Sequence, residues 1–280
     1  MTAAFKYEWR RLTSLASTWW ITGTSVGVSV GFTLLVCMFI RFNLPGELKG
    51  DVSKDDSRFF LEAGMTQFSN VDPFYYLVAF AIAILGVLSW GHEYRHGMIR
   101  ATLTAVPNRT AVWAAKFVTI GAWVAAVVVI SCVVSLMVTM LFFGSLDFDY
   151  DWGELFLSVF QRIVFSVLLT WLVMAVTELI RHQTFALVLL YLWPLGVESL
   201  LRLFFLIFGQ FNQGINDAAR FMPFNAGSRI IQDFSLINGY ESVDGVFDSP
   251  LSALGGAIIF GGITALVMAG SLFSFRTRDA

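Results

Sequence analysis

Six long apolar runs, separated by polar breaks, dominate this chain, at about residues 19–42, 73–90, 111–143, 155–179, 185–208 and 251–275. A helix of roughly 20 apolar residues crosses about 30 Å of hydrocarbon, so each run predicts a membrane span. The third exceeds one perpendicular crossing and predicts a helix that tilts or continues beyond the bilayer. Residues 3–16, ahead of the first run, are patterned differently: Phe5, Trp9 and Leu12 recur at helical spacing beside Lys6, Arg10 and Arg11. That arrangement predicts an amphipathic helix lying in the headgroup plane.

The breaks carry their own signals. Residues 43–71 are polar, and FFLEAGMTQF within them predicts a short helix. Asp147, Asp149, Asp151 and Glu154 form an acidic turn after span 3, and Arg181-His182-Gln183 separates spans 4 and 5. Pro194 interrupts span 5, and residues 209–250 are polar apart from Phe221-Met222-Pro223-Phe224. Between spans 2 and 3, Met98, Ile99, Ala101, Leu103 and Ala105 mix with Arg100, Thr102 and Thr104 until Pro107 and Asn108 end the run. This predicts a short helix on the membrane surface with a proline stop. Neither an internal repeat nor a soluble linker divides the chain. Residues 1–280 read as one six-helix domain of an all-α polytopic membrane protein.

Composition agrees: 57% of residues are hydrophobic and only 14% charged, against about a quarter charged in soluble domains. The net charge of −2 gives no basic excess for nucleic acid. Lys and Arg concentrate in the N-terminal segment, the 91–116 loop, the Arg181 turn and the C-terminal tail. With these four inside, the cytoplasmic side holds ten basic and four acidic residues, leaving eight basic and sixteen acidic elsewhere. Both termini are therefore expected in the cytoplasm of a multi-pass protein of the cell membrane. MTAAFKYEWRRL is not followed directly by an apolar h-region and cleavage site, so no removable signal peptide is expected. Cys37 and Cys132 lie in apolar runs and read as small hydrophobes without a disulfide.

Four constellations bear on chemistry. His92-Glu93-Tyr94-Arg95-His96 fits H-E-x-x-H, which on a helix puts two imidazoles on one face with a glutamate as general base, as in zinc peptidases. The other reading is two surface histidines at a span end. A third ligand would have to come from elsewhere, and His182 is the remaining histidine; Asp244-Gly245 falls on the other side of the membrane by the charge count. Glu198 and Arg202, spaced i, i+4 on span 5, either line a translocation path or pair within the helix. Arg162 near the start of span 4 reads as snorkelling to the outer headgroups, with service to a substrate as the other reading. Gly23, Gly27 and Gly31 form a small-residue ridge that lets another helix approach closely, a candidate dimer interface. The chain has no G-x-x-x-x-G-K-[ST] and hence no P-loop.

The run Glu93-Tyr94-Arg95-His96-Gly97-Met98-Ile99-Arg100-Ala101-Thr102-Leu103, followed by Pro107-Asn108-Arg109 and Ala114-Ala115-Lys116, resembles the coupling segment in the permease subunit of ABC-2 family transporters. The order of interfacial helix, spans and surface helix is similar over the whole chain. The resemblance implies that the 99–105 helix docks into a groove on a separate cytoplasmic ATPase. It places coupling positions at Glu93, Gly97, Arg100 and Thr102, with Arg95, Met98 and Leu103 beside them. It also implies short re-entrant extracellular helices within residues 209–250. Met98 departs from the family, where a small or β-branched residue is commoner.

The expectation is a permease subunit, not an enzyme by itself, with no cofactor or metal of its own and with ATP and Mg²⁺ on the partner ATPase. A second permease subunit, identical or related, completes the path by symmetric pairing. Together they would export a hydrophobic or amphipathic substrate by alternating access. The alternatives are a membrane-embedded zinc metallopeptidase using His92, Glu93 and His96, and a non-transporting scaffold or sensor.

Overall fold

The computed structural model describes residues 2–43, 74–143, 152–209, 221–232 and 251–277, and among them every regular element is a helix. In order these are α1 (Thr2–Ser14), α2 (Ala16–Asn43), α3 (Phe74–Arg95), α4 (Ile99–Ala105), α5 (Arg109–Phe143), α6 (Trp152–Ile180), α7 (Gln183–Leu192), α8 (Ser199–Gly209), α9 (Pro223–Gln232) and α10 (Ala253–Thr277). Four stretches, Arg109–Phe142, Leu155–Ile180, Gln183–Phe205 and Ala253–Thr277, are long and apolar enough to cross a membrane, which fits a transmembrane protein. The FFLEAGMTQF segment, Asp147, Asp149, Asp151 and Asp244-Gly245 lie outside the described residues, as do the side chains of Glu154 and Arg202.

Two helices, α3 and α6, lie at the centre, each supplying buried residues to both apolar clusters. Ala79, Phe80, Ala83 and Val87 pack with Phe165 and Leu169 of α6, Leu190 of α7, Phe224 and Ile231 of α9 and Phe260 of α10. Val78, Ile82 and Trp90 pack instead with Leu12 of α1, Ile99 of α4, Phe117, Ile120 and Val124 of α5, Met174 of α6 and Phe275 of α10. α2 joins the second group through polar contacts as well. Thr33 Oγ1 donates to Ser135 Oγ at 3.2 Å, and Trp123 Nε1 donates to Thr22 Oγ1 at 3.0 Å. Such interhelical hydrogen bonds pin the two helices side by side.

Span 5 is helical through Pro194 because the chain widens there. Trp193–Glu198 is a π-helical turn, with the proline at its first positions. Proline lacks the N–H that an α-helical ladder needs, and a π turn accommodates that loss. At the last position of the turn, Glu198 is buried and accepts from the backbone N–H of Phe224 at 3.1 Å and of Asn225 at 2.6 Å. A carboxylate thus covers the N-terminus of α9, where helix N–H groups have no intrahelical acceptor and the dipole is positive. Pro223 opens that helix at a position where a missing N–H costs nothing. The backbone of α9 crosses α10 at Gly256, where a Cβ would stand 2.3 Å from the Ala226 carbonyl oxygen.

The N-terminal helix presents two distinct faces. Ala4, Glu8 and Leu12 face the protein, while Phe5 and Trp9 are exposed and stack at 6.2 Å. Leu12 does enter the core, but with a glutamate beside it on the same face. Trp9 and Trp19 both meet Trp123 edge-on, at 5.7 and 5.4 Å, so α1 and the start of α2 share one aromatic contact on α5.

Candidate functional site

Three helices bring charge together beneath the surface helix α4. Lys116 of α5 is fully buried and donates from Nζ to Glu93 Oε1 of α3 at 2.6 Å and to Glu8 Oε1 of α1 at 2.7 Å. Arg11 of α1 donates to the same Glu93 Oε1, to Glu8 Oε2 at 3.4 Å and to the Ser89 carbonyl at 3.3 Å. The Lys116 ammonium also lies 5.2 Å from the Trp90 ring centroid, a further stabilising contact for a desolvated cation. Two positive and two negative groups close this cluster to zero net charge. That balance is what allows ions to stay buried, since an unpaired one would shed its charge or unfold its surroundings.

Directly above, the chain turns sharply. Gly97 adopts φ +64°, the left-handed region that glycine enters without penalty. Its N–H donates to Tyr94 O at 3.4 Å, and Met98 N–H donates to Glu93 O at 2.9 Å. This pair of bonds is the Schellman arrangement that ends a helix and re-aims the chain. α3 therefore stops at Arg95, and α4 leaves at once. Ile99 and Thr102 of α4 are buried and Leu103 is half-buried, whereas Met98, Arg100, Ala101 and Thr104 are exposed. Thr102 spends its hydroxyl on Met98 O at 3.2 Å.

The exit is as tightly held as the entry. Val106 is extended, Pro107 prevents continuation, and Asn108 Oδ1 accepts from Ala111 N–H at 3.1 Å to start α5. Arg109 Nη1 donates to the Phe275 carbonyl at 3.2 Å near the end of α10, where free carbonyls and the helix dipole favour a cation. On the other flank, the Arg181 guanidinium sits 5.4 Å from the Tyr94 ring, and Arg181 holds φ 57°, unusual for a side chain with a Cβ.

Of the seven residues assigned to coupling, Arg95, Gly97, Met98 and Arg100 are exposed, Leu103 lies between, and Glu93 and Thr102 point into the chain. Glu8, Arg11 and Lys116 were legible only as charges flanking apolar segments, and the cluster they form with Glu93 was not foreseen. One acid amid several bases in the 91–116 loop, and another in the 3–16 helix, are the signals that could have found it.

The H-E-x-x-H residues engage the following partners. His92 and His96 stack at 5.9 Å, and His96 Nδ1 lies 2.9 Å from His92 O. The Glu93 carboxylate turns away from both rings to Lys116 and Arg11. His182 caps α7 by accepting Phe185 N–H at 3.2 Å. Among the described residues no group of three or more His, Cys, Asp or Glu side chains is placed to hold a metal ion. Burial, then the positive fields of His96, Arg11 and Arg95, holds the His92 imidazole below the usual histidine range.

The remaining candidates are separated in space. Gly23, Gly27 and Gly31 each have no atom within 4 Å of where a Cβ would stand, so that face of α2 is open. Glu198 is engaged with the N-terminus of α9. Arg162 does not reach outward from the protein: it is 8% exposed, and its Nη1 lies 3.7 Å from Cys132 Sγ. No protein-family model matches this chain, and no curated protein matches it.

Proposed function

We propose that this chain is the permease subunit of an ATP-binding-cassette exporter of the ABC-2 kind, with α4 as its coupling helix. The observation that carries this reading is the way α4 is mounted. A short helix with an exposed face of Met98, Arg100, Ala101 and Thr104 is joined to α3 by a Schellman turn and to α5 by a capped proline break. Its root residue Glu93 is locked to α1 and α5 through buried charge. Force applied to such a helix moves three elements together instead of bending a loop.

Six spans make up the domain in this reading. Besides the four described, α2 with 28 residues and α3 with 22 reach about 42 and 33 Å at 1.5 Å per residue, enough for hydrocarbon. α1 lies on the inner leaflet, both termini and α4 are cytoplasmic, and α9 is the re-entrant helix on the outer side. The open glycine face of α2 is where a second permease subunit packs. The cytoplasmic ATPase supplies ATP and Mg²⁺, and the substrate is hydrophobic or amphipathic.

The test is capture of a nucleotide-hydrolysing subunit with the tagged chain, and its loss when Arg100→Glu and Ala101→Glu are introduced together. Labelling of a cysteine at Arg100 from the external side of intact cells, or a working transporter without any nucleotide hydrolase, would end the proposal.

A further inference from the structure

A groove between α5 and α6 holds a cavity of about 220 Å³. Two other clefts in the fold are near 20 and 30 Å³, the scale of a single water, whereas this one takes a larger guest. Its walls include the apolar Val133, Leu136 and Phe156 and the polar Ser135, Ser158 and Arg162. The lining residues of α6 run from Trp152 to Arg162, about 15 Å of helix at 1.5 Å per residue. Arg162 marks one end of that run and an exposed tryptophan the other.

Two further observations point to a ligand. Ser131 Oγ is buried, has no hydrogen-bond partner among the described residues, and lines a separate small cleft that shares Cys132, Ser135 and Arg162 with the groove. The Arg162 side chain, nine-tenths buried, lies within a helix that can cross a membrane. A charge at that depth is costly and marks a binding or translocation site more often than a packing position. A guanidinium offers a planar set of donors that matches an oxyanion, and the apolar walls match a hydrocarbon chain.

We infer that this groove binds an acyl-chain lipid with an anionic phosphate head, the phosphate on Arg162 and the chain along α5 and α6. The site lies apart from α4 and the charge cluster, and binding needs neither an ATPase nor a second subunit. The inference therefore stands or falls independently of the transport reading.

The full chain, purified in neutral detergent, would be titrated with lysophosphatidic acid, with lysophosphatidylcholine of the same chain length, and with inorganic phosphate. Bound lipid would be counted by native mass spectrometry. Lysophosphatidic acid is expected to bind about tenfold more tightly than its zwitterionic counterpart, the difference of one charge-assisted hydrogen bond. Inorganic phosphate should not compete at equal concentration. Arg162→Gln should abolish the preference but keep weak binding of both lipids, and Val159→Phe, which fills the groove, should lose both. Equal affinity for the two lipids in the wild type would overturn the assignment, as would full competition by inorganic phosphate. Undiminished lysophosphatidic acid binding in Val159→Phe would overturn it even if Arg162→Gln fails to fold.

Discussion

Lys116 and Glu93, 23 residues apart in sequence, meet at 2.6 Å with both side chains sealed from solvent. The pair ties the foot of one long helix to the head of another, with the surface helix α4 strung between them. Lys116→Met should cost about 3–5 kcal/mol, because it leaves two buried carboxylates with Arg11 as their one cation among the described residues. Adding Glu8→Gln to that variant leaves Arg11 paired with Glu93 and should recover much of the loss. Thermal unfolding in detergent reads both, and strict additivity of the substitutions would show that the charges are not coupled.

Gly97→Ala isolates the turn. A Cβ there meets nothing within 4 Å, so the penalty is conformational only, about 1–2 kcal/mol for a left-handed residue. Gly97→Asn, which tolerates that region, should cost less. If Gly97→Ala leaves stability unchanged, the φ of +64° is not held in solution.

Glycines with and without neighbours should separate cleanly. Gly256→Ala places a methyl 2.3 Å from a backbone oxygen and must part α9 from α10, so a marked fall in unfolding temperature is expected. A Cβ at Gly27 meets open space, so Gly27→Leu should leave the unfolding of the isolated subunit within about 0.5 kcal/mol of wild type. Its effect should appear in self-association, measured by cross-linking in membranes. A dimer that persists unchanged in Gly27→Leu would remove α2 as the interface.

His92 gives a pH signature. It lies beyond the apolar run that ends at Trp90, and its folded-state affinity for a proton is below the unfolded value of 6.5. Above that value the imidazole is neutral in both states and contributes nothing. As pH falls below it, the unfolded chain binds the extra proton first, and stability declines. His92→Gln should flatten that part of the stability profile between pH 7 and 5, and an identical slope in wild type and variant would discount it.

Hydropathy located the long helices because a lipid-facing surface leaves a repeated signature in every turn. Phe74–Arg95 extends past the apolar run ending at Trp90 because Glu93 is paired by groups from α1 and α5, contacts no local pattern encodes. The same holds for Glu198. Its i, i+4 spacing to Arg202 suggested an intrahelical pair or a path, whereas its backbone partners are 26 and 27 residues away. The helical wheel of α1 showed its Phe5 and Trp9 stripe, but nothing local to it said that Glu8 would be buried beside Ala4 and Leu12. Gly97 and Pro107, by contrast, announce their breaks locally, since each restricts its own backbone.

The π turn at Trp193–Glu198 also sets the compass of everything downstream. Relative to an uninterrupted α-helix it accommodates one surplus residue, which turns later side chains by about 100° around the axis. Should Pro194 be exchanged for alanine and the surplus relax, Glu198 would swing off the start of α9, and that helix would lose its anchor. One imino acid thus decides whether a carboxylate at this depth clasps a neighbouring helix or faces oil.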